Sequence, residues 1–333
     1  MDFLQPASLA EALALKAEFP AAVPMAGGTD VMVEINFDAR RPAALLDLTR
    51  VAELTSVDEL TSVSMAPSIP LERAGGANDT LGTGHGPVLR IGAGVTYFRL
   101  INELGSMLPG LAMAARTVGS PQIRNRGTIG GNLGAASPAG DCHPVLLAAG
   151  AVIEAASVRG TRLIPVAEFF TGPKRNALAP DELIAAVLLP VAPGPQQFAK
   201  VGTRNAMVIA VCAFALELRP PPTSTIPDTP KSDYPDLKGA TVGTGIGSAG
   251  PTPLRAPAAE EFLAARLPWD AGPGTGAPAS PLPDALTREF GELVAAAARP
   301  IDDVRGTAGY RRHALSVLAR RTLTWAWEGK TCA

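Results

Sequence analysis

Two short stretches concentrate residue types able to bind an anion through the main chain. Ala26, Gly27, Gly28, Thr29, Asp30 and Val31 read AGGTDV, and far downstream Thr128, Ile129, Gly130, Gly131 and Asn132 open TIGGNLGAASPAGD, residues 128–141. Glycine admits positive φ and lets a ligand reach backbone N–H groups, and successive N–H groups in a turn form a concave nest suited to phosphate oxygens. Each pair is flanked by small polar side chains, Thr29 in the first and Thr128, Asn132 and Ser137 in the second, able to donate to the same anion. A lone glycine pair serves tight packing at least as often as it touches a ligand. Two pairs in one half of the chain point to a shared anionic ligand.

The usual dinucleotide fingerprint is absent: GxGxxG does not occur, GAGVTY (92–97) lacks the third glycine, and there is no GxxxxGK[ST]. A bound dinucleotide is therefore expected to have its pyrophosphate held by two separated segments. Charge-assisted hydrogen bonds contribute about 1.5–3 kcal/mol each against an association cost of roughly 4–15 kcal/mol, so a large apolar ligand surface must also be buried. A flavin joined to an adenine offers both kinds of contact.

The remaining chemistry is sparse. Cys142, Cys212 and Cys332 form no CxxC pair, which argues against a disulfide framework, a structural zinc or a self-held iron–sulfur cluster. His85, His143 and His313 are too dispersed for a metal cluster and read as surface or hydrogen-bonded residues. No GxSxG elbow occurs, and Ser137, Asp141 and His143 read as loop polarity rather than a triad. No catalytic side chain and no metal ligand is expected.

The elements that must position the two segments belong to a chain of 333 residues, long enough for two domains or two lobes. Hydrophobic residues at 47% and charged residues at 18% exclude disorder and leave little surface charge for a free monomer. With 29 basic and 31 acidic side chains there is no basic field for nucleic acid. The start, MDFLQPASLAEALAL, has no basic region ahead of an apolar run, and no stretch is apolar for the roughly 18 residues of a membrane span, which predicts a cytoplasmic protein.

Ser8 to Glu11 has capping-box spacing, so the first element is expected to be a helix stopped by Pro20. AAVPMA reads as a strand, GGT as a turn, and DVMVEINF as a helix that Thr29 or Asp30 can cap. LLDLT (45–49) and VLRIGAGVTY (88–97) read as strands, FRLINELGSMLPGLAMAARTV as helix broken near Pro109, HPVLLAAG as a helix closed by Gly150, and AVIEAASV (151–158) as a strand. A boundary falls near VAPGPQQ (191–197). FAKVG, VIAVCAFALEL and TVGTGIG then read as strands, and APAAEEFLAARL and the tail from Asp302 as helices. The proline-rich segments 219–238 and 270–283 read as exposed excursions.

AGGTD together with TIGGN-x₄-SP-x₂-D resembles the FAD-binding subunit of the molybdenum hydroxylases, the family of xanthine dehydrogenase and aerobic carbon monoxide dehydrogenase. FFTGPKRNALAPDELIAAVLLP, FAKVGTRNAMVIAVCAFALEL, GIGSAGPTPLRAPAAEEFL and DDVRGTAGYRRHALSVLARR each look like a stretch of that subunit in the expected order, so the likeness covers nearly all of the chain except 219–238, 270–283 and 66–86. SPQIRNRGTIGGNLGAASPAGD and VGTRNAMVIAV look closest to bacterial xanthine dehydrogenases.

The resemblance implies an α+β fold: a two-lobed FAD-binding domain of the vanillyl-alcohol oxidase (PCMH) type over 1–193, then a smaller α+β domain like that of the carbon monoxide dehydrogenase flavoprotein over 194–333. It implies that Ala26 to Val31 wrap the FAD pyrophosphate, that Thr128 to Asn132 complete it, and that Asp141 binds the adenosine or phosphate end. Asp141 equally stands where the HPVLLAAG helix needs an N-cap. Val118, Ile184 and Lys200 align with positions that meet the flavin, Val118 standing where some relatives carry an aromatic ring. Ile184 as core and Lys200 as a surface charge are the competing readings. Relatives that reduce aromatic thioesters carry a cysteine-rich iron–sulfur insertion here, and this chain lacks it, so Cys142 and Cys212 read as small buried residues.

In function the resemblance implies a flavin subunit that receives electrons from 2Fe-2S clusters on a small partner and delivers them in pairs to an acceptor such as NAD+. A purine such as xanthine or hypoxanthine would be oxidised at the molybdenum cofactor of a large partner, within a dimer of heterotrimers. The alternatives are the flavin subunit of a carbon monoxide or aldehyde dehydrogenase, a flavin oxidase working alone on a small alcohol, and an assembly module whose glycine turns only pack.

Overall fold

The computed structural model describes residues 1–60, 63–64, 80–81, 87–221, 239–272 and 280–330. The first element is a strand and not the expected helix: β1 (Asp2–Leu4) precedes α1 (Leu9–Glu18), β2 (Val23–Met25), α2 (Val31–Asn36) and β3 (Ala44–Asp47). β3 is the central strand of a parallel sheet of order β1-β3-β2, and all four of its residues are buried, as a strand covered on both faces requires. Three residues are too few to show a period of two, and the partner of β1 lies forty residues away in sequence, so nothing local announces it.

The N-terminus of α1 forms as its spacing predicts. Ser8 Oγ accepts the Glu11 N–H at 3.2 Å, and the Glu11 carboxylate reaches back to the Ala7 N–H at 2.7 Å, one residue earlier than in the standard box. Near the other end, Lys16 Nζ donates to the Pro20 and Ala22 carbonyls at 2.7 Å each. That buried lysine ties down the turn that delivers the chain into β2 and on to AGGTD.

A second layer follows: β4 (Val57–Leu60), β5 (Val88–Gly92), α3 (Tyr97–Glu103), α4 (Pro109–Arg116), α5 (Pro121–Arg126), α6 (Ile129–Ala135), α7 (Cys142–Ala148), β6 (Val152–Ser157), β7 (Gly160–Pro165) and β8 (Leu183–Pro190). Its strands make an antiparallel sheet of order β4-β5-β8-β6-β7, with every residue of the central β8 buried. Pro109 begins α4 at the expected break, its missing N–H harmless in a first turn, and Gly150 follows α7 with φ 67°.

The chain ends in β9 (Gln196–Val201), β10 (Cys212–Arg219), β11 (Thr241–Gly247), α8 (Pro257–Arg266), α9 (Asp284–Ala297) and α10 (Ala308–Trp327), with β10 between the other two strands in an antiparallel sheet. Alternation along β10 divides the interior. Cys212, Phe214, Leu216 and Leu218 face a core shared with α8, α9 and α10, while Ala213 and Ala215 face the larger core of the first two layers, where α7 packs. The whole is α+β. Most of 66–86, the prolines of 222–238, residues 273–279 and Cys332 lie outside the described residues, while Arg219, read as the start of the first exposed excursion, instead ends β10 and pairs with Thr241 of β11. No helix among the described residues is long and apolar enough to cross a membrane.

Candidate functional site

β2 ends when the Leu48 N–H bonds the Met25 carbonyl at 2.8 Å, and the chain then turns through Ala26 to Asp30. Gly28 has φ 72°, in the left-handed region that glycine takes without strain. The N–H groups of Gly27, Gly28, Thr29 and Asp30 bond no group among the described residues. Neither Thr29 nor Asp30 caps α2 with its side chain, contrary to expectation. Asp30 sits at the N-cap in helical rather than extended geometry, with no capping bond from its exposed side chain.

The second segment is built differently from the open nest its glycines suggest. The Tyr97 N–H bonds the Gly127 carbonyl at 3.0 Å, Ile129 donates to Val95 at 3.0 Å and Gly130 to Ala93 at 2.9 Å, stitching 127–130 to the chain leaving β5. Thr128 is the N-cap of α6, its Oγ1 accepting the Gly131 N–H at 3.0 Å, and the Asn132 N–H bonds the Thr128 carbonyl. The donors of 129–132 are thus consumed within the protein. Gly130 is glycine for closeness, since a Cβ there would lie 2.5 Å from that of Ala93.

The two segments meet. A Cβ on Gly27 would stand 1.9 Å from the Arg126 carbonyl oxygen and 2.9 Å from the Gly127 Cα. Beside this junction opens a cleft of about 690 Å³. Ala26 to Val31 line it, as do Val118, Thr128, Gly130, Gly131, Asn132, Ser137, Asp141 and Ile184. Ile129 does not: it is fully buried in the core. Ile184 is both cleft wall and core residue, 8% exposed.

Lys200 is neither a surface charge nor part of the wall. Buried behind it, Nζ donates to Asp141 Oδ2 at 2.6 Å and to the Thr117 carbonyl at 3.2 Å. Asp141 accordingly makes no side-chain cap bond at the start of α7, although it occupies the N-cap position. The lysine, 59 residues on, takes its carboxylate. Burial pushes the Asp141 carboxyl above the usual carboxylate range, against the pull of Lys200. Its other oxygen, Oδ1, is buried without a partner, and so is Asn132 Oδ1. Buried polar atoms are seldom left unpaired, and these two belong to residues that line the cleft.

His143 underpins this wall. Its Nε2 is 3.0 Å from the Asn132 carbonyl, and burial lowers its pKa to about 4, so it is neutral near pH 7. Burial likewise pushes the Cys212 thiol up to about 12 and the Cys142 thiol higher still. His313 is exposed, His85 lies outside the described residues, and among the described residues no three or more metal-type side chains gather.

Other wall residues escaped sequence reasoning: Lys16, Tyr97, Gly119, Ile123 and Met207 to Ile209. Arg124 shapes one of these stretches, donating to the Val118 and Gly119 carbonyls at 3.0 and 3.1 Å. Tyr97 lies within GAGVTY, a stretch weighed only as an incomplete fingerprint. For the others no local signal exists, because their side chains reach the cleft only through the packing of distant elements.

A parallel layer and an antiparallel layer thus meet at a cleft beside free N–H groups on a glycine turn, an arrangement able to hold an anionic cofactor. The chain belongs to the family described as FAD binding domain in molybdopterin dehydrogenase, which matches residues 1–66 and 83–192. It is 31% identical over 271 residues to the nicotinate dehydrogenase FAD-subunit of Eubacterium barkeri, covering 79% of each chain. With the xanthine dehydrogenase FAD-binding subunit of Escherichia coli O157:H7 it shares 31% identity over 77% of this chain and 76% of the other. Among solved structures it resembles a chain of reconstituted CO dehydrogenase from Oligotropha carboxidovorans, with a TM-score of 0.75 and 25% identity over 98% of this chain and 97% of that one.

Proposed function

We propose that this chain holds FAD in the described cleft and serves as the flavin subunit of a multi-subunit molybdenum hydroxylase, taking electrons from 2Fe-2S clusters on a small partner and passing them to an acceptor such as NAD+. The observation that carries the cofactor reading is the set of unpartnered polar groups around one cleft: the N–H groups of Gly27 to Asp30, and the acceptors Asn132 Oδ1 and Asp141 Oδ1. These fit FAD, whose pyrophosphate needs donors and whose ring and sugar carry N–H and O–H groups that need acceptors.

In this reading Gly27 to Asp30 take the pyrophosphate, with Ala26 and Val31 fixing the turn at either side. Thr128 Oγ1 accepts from Gly131 and keeps its proton for the ligand, with Ser137 further along the same wall. Val118, Ile123 and Ile184 supply apolar surface for the ring and exclude water from it. Lys200 acts through Asp141. When bound, FAD supplies reversible transfer of one or two electrons. The protein binds and orients it, and no side chain of this chain need act as acid or nucleophile.

We further propose the division at 193/194, shortly before β9, a large molybdenum-cofactor subunit as the site of substrate oxidation, a dimer of heterotrimers, and a cytoplasmic location. Xanthine or hypoxanthine is the proposed substrate. Support comes from the Escherichia coli relative, named for xanthine, while relatives named for nicotinate and caffeine widen the class to nitrogen heteroaromatics. The test is to purify the full chain with its co-expressed partners. Expected are a flavin absorption spectrum, release of FAD on denaturation, and NAD+ reduction with xanthine. A colourless protein that takes up no FAD contradicts the cofactor reading. FAD reduced only by nicotinate or an aldehyde keeps it and overturns the purine assignment.

A further inference from the structure

Tyr97 is the first residue of α3, behind the Thr96 N-cap. Its ring is 4% exposed and is wedged against Gly127, where a Cβ would lie 2.8 Å from Tyr97 Cε2. Gly127 Cα would also lie 2.9 Å from a Cβ on Gly27. The phenol thus stands one residue from the junction of the two segments, and it lines the cleft. Its hydroxyl makes no hydrogen bond among the described residues. Tyrosine hydroxyls normally find a partner when the ring is buried; this one, unlike Asn132 Oδ1 and Asp141 Oδ1, is not sealed from solvent and is free to meet a ligand.

The other groups of that wall offer few main-chain donors. Ile129, Gly130, Gly131 and Asn132 have all spent their N–H groups inside the protein, and Asn132 Oδ1 and Asp141 Oδ1 can only accept. An anion held by Gly27 to Asp30 therefore finds no free main-chain donor on residues 129–132, and only side-chain donors such as the Thr128 hydroxyl remain there. Burial, with the Cys142, Asp141 and Asp30 side chains nearby, holds the phenol well above its ordinary pKa, so it keeps its proton.

We infer that the Tyr97 hydroxyl donates a hydrogen bond to the pyrophosphate of the bound dinucleotide, in the cleft that Gly27 to Asp30 also line. This rests on the FAD reading above. Tyr97→Phe keeps the ring against Gly127 and removes only the hydroxyl. The test compares the full-length wild type and Y97F by FAD titration of the apoprotein, by ³¹P NMR of the bound cofactor, and by thermal melting without FAD.

The inference expects roughly 10- to 100-fold weaker FAD binding in Y97F, the range for a hydrogen bond to a charged group, together with a displaced ³¹P resonance. Without FAD, Y97F should melt no lower than wild type, because no internal bond is lost. Equal affinities, or unchanged ³¹P resonances, overturn it. Failure of the wild type itself to bind FAD overturns the FAD reading, and this inference with it.

Discussion

The Gly27 backbone and the Arg126 carbonyl are packed so closely that a Cβ on the glycine would stand 1.9 Å from the oxygen. Both partners are main chain, so neither can swing aside as a side chain would. Gly27→Ala should therefore separate the two segments, destabilising the protein by about 1–3 kcal/mol as overpacking does. Thermal melting and the flavin-to-protein ratio should fall together.

Gly131 offers the cleaner probe of the cleft. A Cβ there meets only Thr128 Oγ1, at 3.1 Å, and otherwise points into open space beside the wall. Gly131→Val should leave the melting temperature of the FAD-free protein within a few degrees of wild type and sharply reduce FAD retention. Gly28→Val is less informative, because φ 72° adds backbone strain to any effect on the ligand.

Lys200→Met should cost about 3–5 kcal/mol near neutral pH, since it leaves Asp141 buried and charged without its cation. The raised pKa of Asp141 fixes the sign of the pH dependence. A carboxyl whose folded pKa lies above its unfolded value contributes stability that is complete below the unfolded pKa and lost as pH rises through the folded one. The deficit of the variant should therefore shrink as pH falls toward about 4, the ordinary range of Asp. Melting curves from pH 8 downward check this, and a deficit independent of pH contradicts it.

His143 works in the opposite sense. Its folded pKa, about 4, lies below the value of 6.5 for a free imidazole. Its contribution is then complete above the unfolded pKa and lost as pH falls through the folded one. The wild type should lose stability between about pH 6.5 and 4, and His143→Gln should flatten that slope. Urea unfolding at several pH values measures it.

Where chemistry was local, it was legible before the fold was known. Ser8 and Glu11 announced α1, Pro109 a helix break, Gly150 the end of α7, and VIAVCAFALEL the strand β10. The two glycine turns named the cleft, and most of the residues read from them line it. What failed was chemistry settled by distant partners. Thr128 and four consecutive residues look like an open nest in sequence, yet Ala93 and Val95, more than thirty residues earlier, take two of the donors and turn the segment into a capped helix. Asp141 has the position of a cap but bonds Lys200 instead. Tyr97, within GAGVTY, was weighed only as part of an incomplete fingerprint, because its place depends on Gly127 pressing against its ring.

The central claim is that free main-chain donors on the first turn receive the pyrophosphate of FAD beside the second. The most direct measurement is an experimental structure of the full chain loaded with FAD. The expected result is phosphate oxygens within about 3 Å of at least two of the N–H groups of Gly27, Gly28, Thr29 and Asp30, the distance of a normal hydrogen bond. FAD seated elsewhere, or seated here with its phosphates away from that turn, would contradict the account.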